Sequence, residues 1–162
     1  MFMVLDTFTV CFFGHRKIDT VVDVENKVYE IVGNLIRNKE SVEFLVGRNG
    51  DFDRIVSSTI IQAKKNIFEA NSFHNLILPY PTAEYSNNVK SFESYYDNIE
   101  ICDSNAYFKA AFQKRNRNMI DRANLCVFYV LQSYGGAYQA MKYAIANGSR
   151  TQYAVCTLFT AH

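Results

Sequence analysis

Four clusters in this 162-residue chain combine residue types and spacing suited to chemistry: Gly14-His15-Arg16; Gly47, Gly50 and Asp53; Arg115 and Asn116; and Ser133, Gly135 and Gly136. Glycine turns expose backbone N–H groups, a following helix adds the positive end of its dipole, and arginine supplies a charged fork. Together these groups hold phosphate. A bare glycine pair also has a plainer use, giving a tight turn and close helix–strand packing. Gly14 allows backbone approach to a phosphate that Arg16 would grip, the alternative for Arg16 being a surface charge on a helix face. His15, placed after a buried strand, reads first as a hydrogen-bonded structural residue and second as a ligand contact. Asp53 either accepts bonds from ribose hydroxyls or caps the helix that follows it. Ser133 donates to a phosphate or is an ordinary turn residue. Arg115 and Asn116 sit on a helix, where charge usually faces solvent, with Asp121 six residues past Arg115. Tyr80, Tyr85, Tyr95 and Tyr96 offer rings on which a base could stack.

The elements that must position these clusters follow from apolar patterning. The run 125–130, Leu-Cys-Val-Phe-Tyr-Val, reads as a strand buried on both faces. It is followed by the glycine pair and by a helix whose inner face is Ala137, Ala140, Met141 and Ala144. Upstream, 8–13 is a first strand and 42–46 a second, each ending at a glycine. Between them Thr20 caps a helix with Val24, Val28, Ile31, Val32 and Leu35 on one face, ending near Asn38. A second helix runs from Asp53 with Ile55, Val56, Ile60 and Ala63 inward, and 76–78 is a short third strand stopped by Pro79. The polar, tyrosine-rich stretch 79–98 has no clear period and reads as a long loop or irregular lid. A short extended piece at 99–102, a helix over 107–123 and a last strand over 153–159 complete the chain. This alternation predicts an α/β, three-layer, Rossmann-like sandwich with a mainly parallel sheet of order 3-2-1-4-5. In that order the turns after the first and fourth strands meet at one crevice, where open α/β sheets bind ligands.

The totals narrow the classes. The length suits one domain covering 1–162, and 49% hydrophobic with 20% charged residues is an ordinary globular composition. A formal net charge of +1 does not call for nucleic acid or a membrane surface, and the basic cluster 114–117 is short. No segment reaches the roughly 18 consecutive apolar residues of a membrane span, and the start lacks a signal peptide's basic region, so a cytoplasmic location is expected. Cysteines 11, 102, 126 and 156 share no C-x-x-C spacing and read as buried reduced thiols. They form no ligand cluster with histidines 15, 74 and 162, so neither a metal nor a cofactor is expected.

The clusters also resemble a known family. Phe12-Phe13-Gly14-His15-Arg16, then Val46-Gly47-Arg48-Asn49-Gly50-Asp51-Phe52-Asp53, then Arg115-Asn116-x-x-Met119-Ile120-Asp121, then Gly135-Gly136-Ala137 are similar, in order and spacing, to the YpsA-like branch of the SLOG superfamily. That superfamily includes the LOG phosphoribohydrolases and the DNA-processing protein DprA. The resemblance implies a Rossmann-like domain that binds nucleotides or their derivatives, and it turns Arg115 towards the pocket, with Asp121 orienting it. LOG enzymes follow the arginine–methionine pair with Pro-Gly-Gly-x-Gly-Thr-x-x-Glu, whose glutamate takes part in catalysis. Here Arg115 and Met119 keep the first spacing, but no proline precedes Gly135, Tyr138 and Gln139 replace Gly-Thr, and Lys142 stands where the glutamate would be.

Two functions compete on these grounds. One is binding without turnover, as a sensor, carrier or sequestering module for a nucleotide or ADP-ribose-type molecule. The other is cleavage of a nucleotide N-glycosidic or phosphoribosyl bond, which needs a carboxylate near the anomeric carbon. Asp53, Glu84, Glu93, Glu100 and Asp121 offer none at a recognised catalytic spacing, so binding is preferred and catalytic residues stay unassigned. The expected partner is a nucleotide-type small molecule, with no membrane, nucleic acid set aside, and a homo-oligomer allowed.

Overall fold

The computed structural model describes residues 6–103 and 108–148, and the backbone of 152–154. Its elements run β1 (Phe8–Gly14), α1 (Val21–Asn38), β2 (Val42–Val46), α2 (Asp51–Asn66), β3 (Ser72–Leu78), α3 (Ala83–Asn87), α4 (Val89–Tyr95), β4 (Asn98–Ile101), α5 (Phe108–Arg122), β5 (Leu125–Tyr129), α6 (Gly136–Ala146) and β6 (Gln152–Ala154). The sheet order is β4-β3-β2-β1-β5-β6 and every neighbouring pair is parallel. This is the expected 3-2-1-4-5 arrangement with one further strand, β4, added at the outer edge where a short extended piece was anticipated.

Alternation along the strands builds two cores. Val10, Phe12, Phe44, Val46, Leu76 and Val127 pack with α1 and α2, whereas Cys11, Phe13, Leu45, Ile77, Cys126 and Phe128 pack with α5 and α6. The period of two in a strand sends successive side chains to opposite faces, so near-continuous apolar runs cover both. Helix α1 buries Val24, Val28 and Val32 with Ile31 and Leu35 half-buried beside them, as its spacing predicts, and also buries Ile36, which that face left out. Thr20 precedes α1 but makes no capping bond from its side chain. Helix α6 buries Ala140 and Ala144, with Ala137 and Met141 packed alongside. Among the described residues, no helix is long and apolar enough to cross a membrane. Cys11 and Cys126 are buried and Cys102 half-buried, all as free thiols; Cys156 and most of the expected 153–159 strand lie outside the described residues.

Two expectations fail for physical reasons. The stretch 79–98 is not an irregular lid: it folds into α3 and α4, the first opened by the Thr82 hydroxyl accepting the Tyr85 N–H at 3.2 Å. Helix α3 buries nothing and α4 fully buries only Phe92, so no apolar period exists to be read. Strand β3 is seven residues long rather than three because its first half buries polar side chains, Ser72, His74 and Asn75.

His74 shows what such burial requires. It is 1% exposed, and its Nε2 lies 2.9 Å from the Ser57 hydroxyl. Burial pushes its pKa down to about 4. The unfolded chain binds this proton from about pH 6.5, the folded chain only near pH 4, so the neutral ring favours folding above 6.5 and this contribution is lost as pH falls between those values. Urea unfolding across that window should show a decline of about 3 kcal/mol from this group, and His74→Gln should flatten it.

Candidate functional site

The crevice forms where the chain leaves the sheet in opposite directions. Strands β1 and β5 are adjacent, with Gly14 level with Tyr129, and their connections go to different layers. One bond clasps the two loops above them: His15 Nε2 accepts the Leu131 N–H at 2.7 Å. Burial lowers the His15 pKa, which suits an imidazole that must keep this nitrogen unprotonated. Its ring also meets the Tyr129 ring edge-on at 6.0 Å. His15 is therefore a structural connector within the crevice.

The glycines separate by what crowds them. A Cβ on Gly14 would lie 2.2 Å from Cγ of Phe52, whose ring is fully buried and stacks on Tyr129 at 5.9 Å. Packing against Phe52 accounts for this glycine. Gly50 has φ +148°, and a Cβ there would lie 2.6 Å from the Arg16 Cα, so both conformation and space require glycine. The β1–α1 loop and the start of α2 are joined along this contact: Asp51 N–H donates to Arg16 O at 2.8 Å, and the Asp51 carboxylate accepts the Ile18 N–H at 3.1 Å. That bond and Arg54, 2.5 Å away, hold the Asp51 pKa below its usual value. In contrast, a Cβ on Gly136 would meet nothing within 4 Å. That glycine borders open space.

A second cluster surrounds Gly47. A Cβ there would lie 2.9 Å from the Asp53 carboxylate and 3.0 Å from Arg115 Nη1. Arg115 is buried on α5; its guanidinium donates twice to Asn116 Oδ1, at 2.8 and 3.1 Å, and lies 5.1 Å from the Phe112 ring centre. Asp53 accepts the Asn49 N–H at 2.8 Å, a cap within its own loop and first turn. Burial raises the Asp53 pKa, while Arg115, the Asn49 N–H and Arg16 oppose that rise. Arg115 itself is lowered by burial, with Asp53 as the main opposing charge. Arg115 is turned into the interior beside Gly47 and Asp53, and Asp121 does not orient it. Asp121 instead accepts the Tyr143 hydroxyl at 2.7 Å.

The two clusters meet at Arg16, whose charge reaches Asp53 and whose backbone abuts Gly50. Arg16 is exposed and its guanidinium makes no hydrogen bond or ion pair with the described residues. Across the His15 clasp, Gly135 has φ +93° and opens α6, whose first intrahelical bond is Gln139 N–H to Gly135 O at 3.1 Å. The N–H groups before it have no helical acceptor. Ser133 is exposed in this loop, as is Tyr134, at 66%. Tyr134 escaped the sequence reading, although its place between Ser133 and Gly135 was a usable signal. Of the tyrosines that were considered, Tyr96 is buried and bonded to Arg48, Tyr80 and Tyr85 are half-buried against Phe112 and Phe92, and only Tyr95 is well exposed.

If Gly14 serves packing, Gly14→Ala should destabilise the fold by about 1–3 kcal/mol, the scale of overpacking. Combining it with Phe52→Leu should cost less than the two single changes added together, as a double-mutant cycle of chemical denaturation would measure.

No family model matches the chain, and no curated protein matches it by sequence. Solved structures do match its fold. DNA processing protein A from Helicobacter pylori superposes with a TM-score of 0.61 at 13% identity, over 90% of this chain and 74% of that one. DprA from Streptococcus pneumoniae gives 0.62 at 13%, over 91% of this chain, which spans only 49% of that protein. TM1055, a structural genomics target, gives 0.53 at 16%, over 87% and 70%. The Helicobacter structure is described as revealing a single-stranded DNA binding mode. That overturns the expectation of a small-molecule nucleotide partner with nucleic acid set aside. A net charge of +1 does not exclude nucleic acid, because it averages over the whole surface, whereas a strand can be held by a few local cations and exposed N–H groups. The chain has a Rossmann-like α/β fold similar to that of the DprA structures.

Proposed function

We propose that this chain binds single-stranded nucleic acid without turnover, holding backbone phosphate at the crevice between Arg16 and the start of α6. The observation that carries the reading is the unpaired, exposed Arg16 on one side of the His15–Leu131 clasp and the open space at Gly136 on the other. Arginine and helix-end N–H groups supply charge-assisted bonds, and the exposed Tyr134 ring beside them supplies a face on which a base can stack. The order of the glycine and arginine motifs favours the YpsA-like branch, and free thiols at Cys11, Cys102 and Cys126 suit action in the reducing cytoplasm. The hydrolase alternative draws no support from the geometry. Lys142, at the position of the LOG glutamate, lies 5.6 Å from the Tyr138 ring centre, and the carboxylates of Asp53 and Asp121 accept bonds from Asn49 and Tyr143.

Fluorescence anisotropy with labelled oligothymidylate should show binding that weakens with salt, with a log–log slope of about 0.7 per phosphate contact, and weaker binding to duplex. Arg16→Ala should weaken it by about 1.5–3 kcal/mol with unchanged circular dichroism, and Gly136→Val should block it by filling the open space. No binding at low salt, or equal binding by all three proteins, would remove the crevice as the site. Incubation with nucleoside monophosphates should release no free base; release that is lost on Asp53→Asn would establish the hydrolase instead.

A further inference from the structure

A groove of about 620 Å³ lies between α2 and α4, lined by Ile55, Ser58, Asn88, Ser91, Phe92 and Tyr95 together with the Arg48–Glu84 pair and Arg54. We infer that this groove is a second subsite for the same strand, a pocket that receives one unpaired base while the crevice holds phosphate. The inference rests on the proposed nucleic-acid function and adds the position and chemistry of a further contact.

The charges point to a base rather than another phosphate. Arg48 is neutralised by Glu84 at 2.8 Å and lies 4.6 Å from the Phe92 ring centre, and Arg54 is neutralised by Asp51 at 2.5 Å. An incoming phosphate would have to displace a carboxylate from one of them, whereas a neutral flat ring meets no such competition. Ser58, Ser91 and Asn88 offer donors and acceptors to a base's polar edge, and Tyr95 offers an exposed aromatic face beside the buried Phe92. Tyr95 is 39% exposed, yet contacts with His74 at 5.7 Å and Tyr96 at 4.8 Å hold its ring in place. A ring fixed before binding loses little freedom on stacking. The volume falls within the roughly 300–1,000 Å³ range of small-molecule pockets.

The bonds of Asp51 link the groove margin to the Arg16 loop. Asp51, which pairs with Arg54 at the groove margin, receives the Ile18 N–H and donates its own N–H to Arg16 O. From Asp51 to Ser58 the rise along α2 is about 10 Å. On this proposal a strand anchored by phosphate at Arg16 runs past Arg54 and turns a base into the groove.

The test compares a thymidine dinucleotide with an oligothymidylate dodecamer by anisotropy and competition. Tyr95→Ala should weaken dodecamer binding about tenfold, a modest stacking loss, and leave the dinucleotide unchanged. Ser91→Trp, which fills the groove from an exposed helix position, should do the same, and thermal melts of both variants control for folding. Arg16→Ala should weaken both ligands. If both groove variants fold and bind the dodecamer like wild type, the subsite is overturned while the crevice stands. If both weaken the dinucleotide equally, the groove is not a separate subsite. If wild type binds neither ligand, the crevice reading fails and takes the groove with it.

Discussion

The ring of Phe52 is the wedge on which the site depends. It lies flat against Tyr129 of β5, above the bare Cα of Gly14 at the end of β1, and it belongs to the first turn of α2. One side chain thus ties together the two strands that flank the switch point and the helix arriving from the next loop. Because Phe52 is fully buried, the start of α2 has little freedom to move away, and Gly50 is pressed against Arg16 as a result. Arg16 is held at the backbone while its guanidinium remains unpaired, so the ordering cost of its main chain is met by folding before any ligand arrives.

Around that wedge, the candidate residues divide by role. His15, Gly14, Gly50 and Asp53 maintain loop geometry through a clasp, two close contacts and a cap. Arg16, Ser133, Tyr134, Gly135 and Gly136 face the surface. Arg115 and Asn116 stand between these groups: a buried cation with one amide acceptor, sharing a glycine with a carboxylate whose pKa is raised by burial. A buried charge with few bonds is costly, and here it is eased by Asp53, Asn116 and the Phe112 ring together.

The strand order was legible because β1, β2 and β5 carry apolar runs, each with a glycine at its end or in the turn that follows, and α1 and α6 were legible because each presents one buried stripe. The 79–98 helices were not, since a helix that buries one side chain leaves no period in its sequence. The first half of β3 was missed because buried Ser72, His74 and Asn75 look like loop residues until their neighbours are known. At the candidate site, spacing could not separate a glycine that borders open space from one whose space is filled by a phenylalanine. That distinction between Gly136 and Gly14 depends on Phe52, which is distant from Gly14 in sequence. Arg115 was placed inward by motif and its supposed partner misassigned, because the loop that receives it comes from β2 rather than from its own helix.

The in-register cysteines of β1 and β5 bear on how this protein must be made. Their sulfurs sit 3.3 Å apart in the sealed layer beneath α5 and α6, and burial raises the Cys11 pKa well above its usual value. Attack on an oxidant requires a thiolate that can reach it; the finished sheet denies access to both sulfurs and disfavours the Cys11 thiolate. Before the strands zip together both sulfurs are exposed. Order of events therefore decides their fate: a chain that folds first shields its thiols within its own hydrophobic layer, and one oxidised first enters the sheet carrying a modified side chain where two strands must lie flush. Reductant matters most during synthesis and refolding, and least once the molecule is complete.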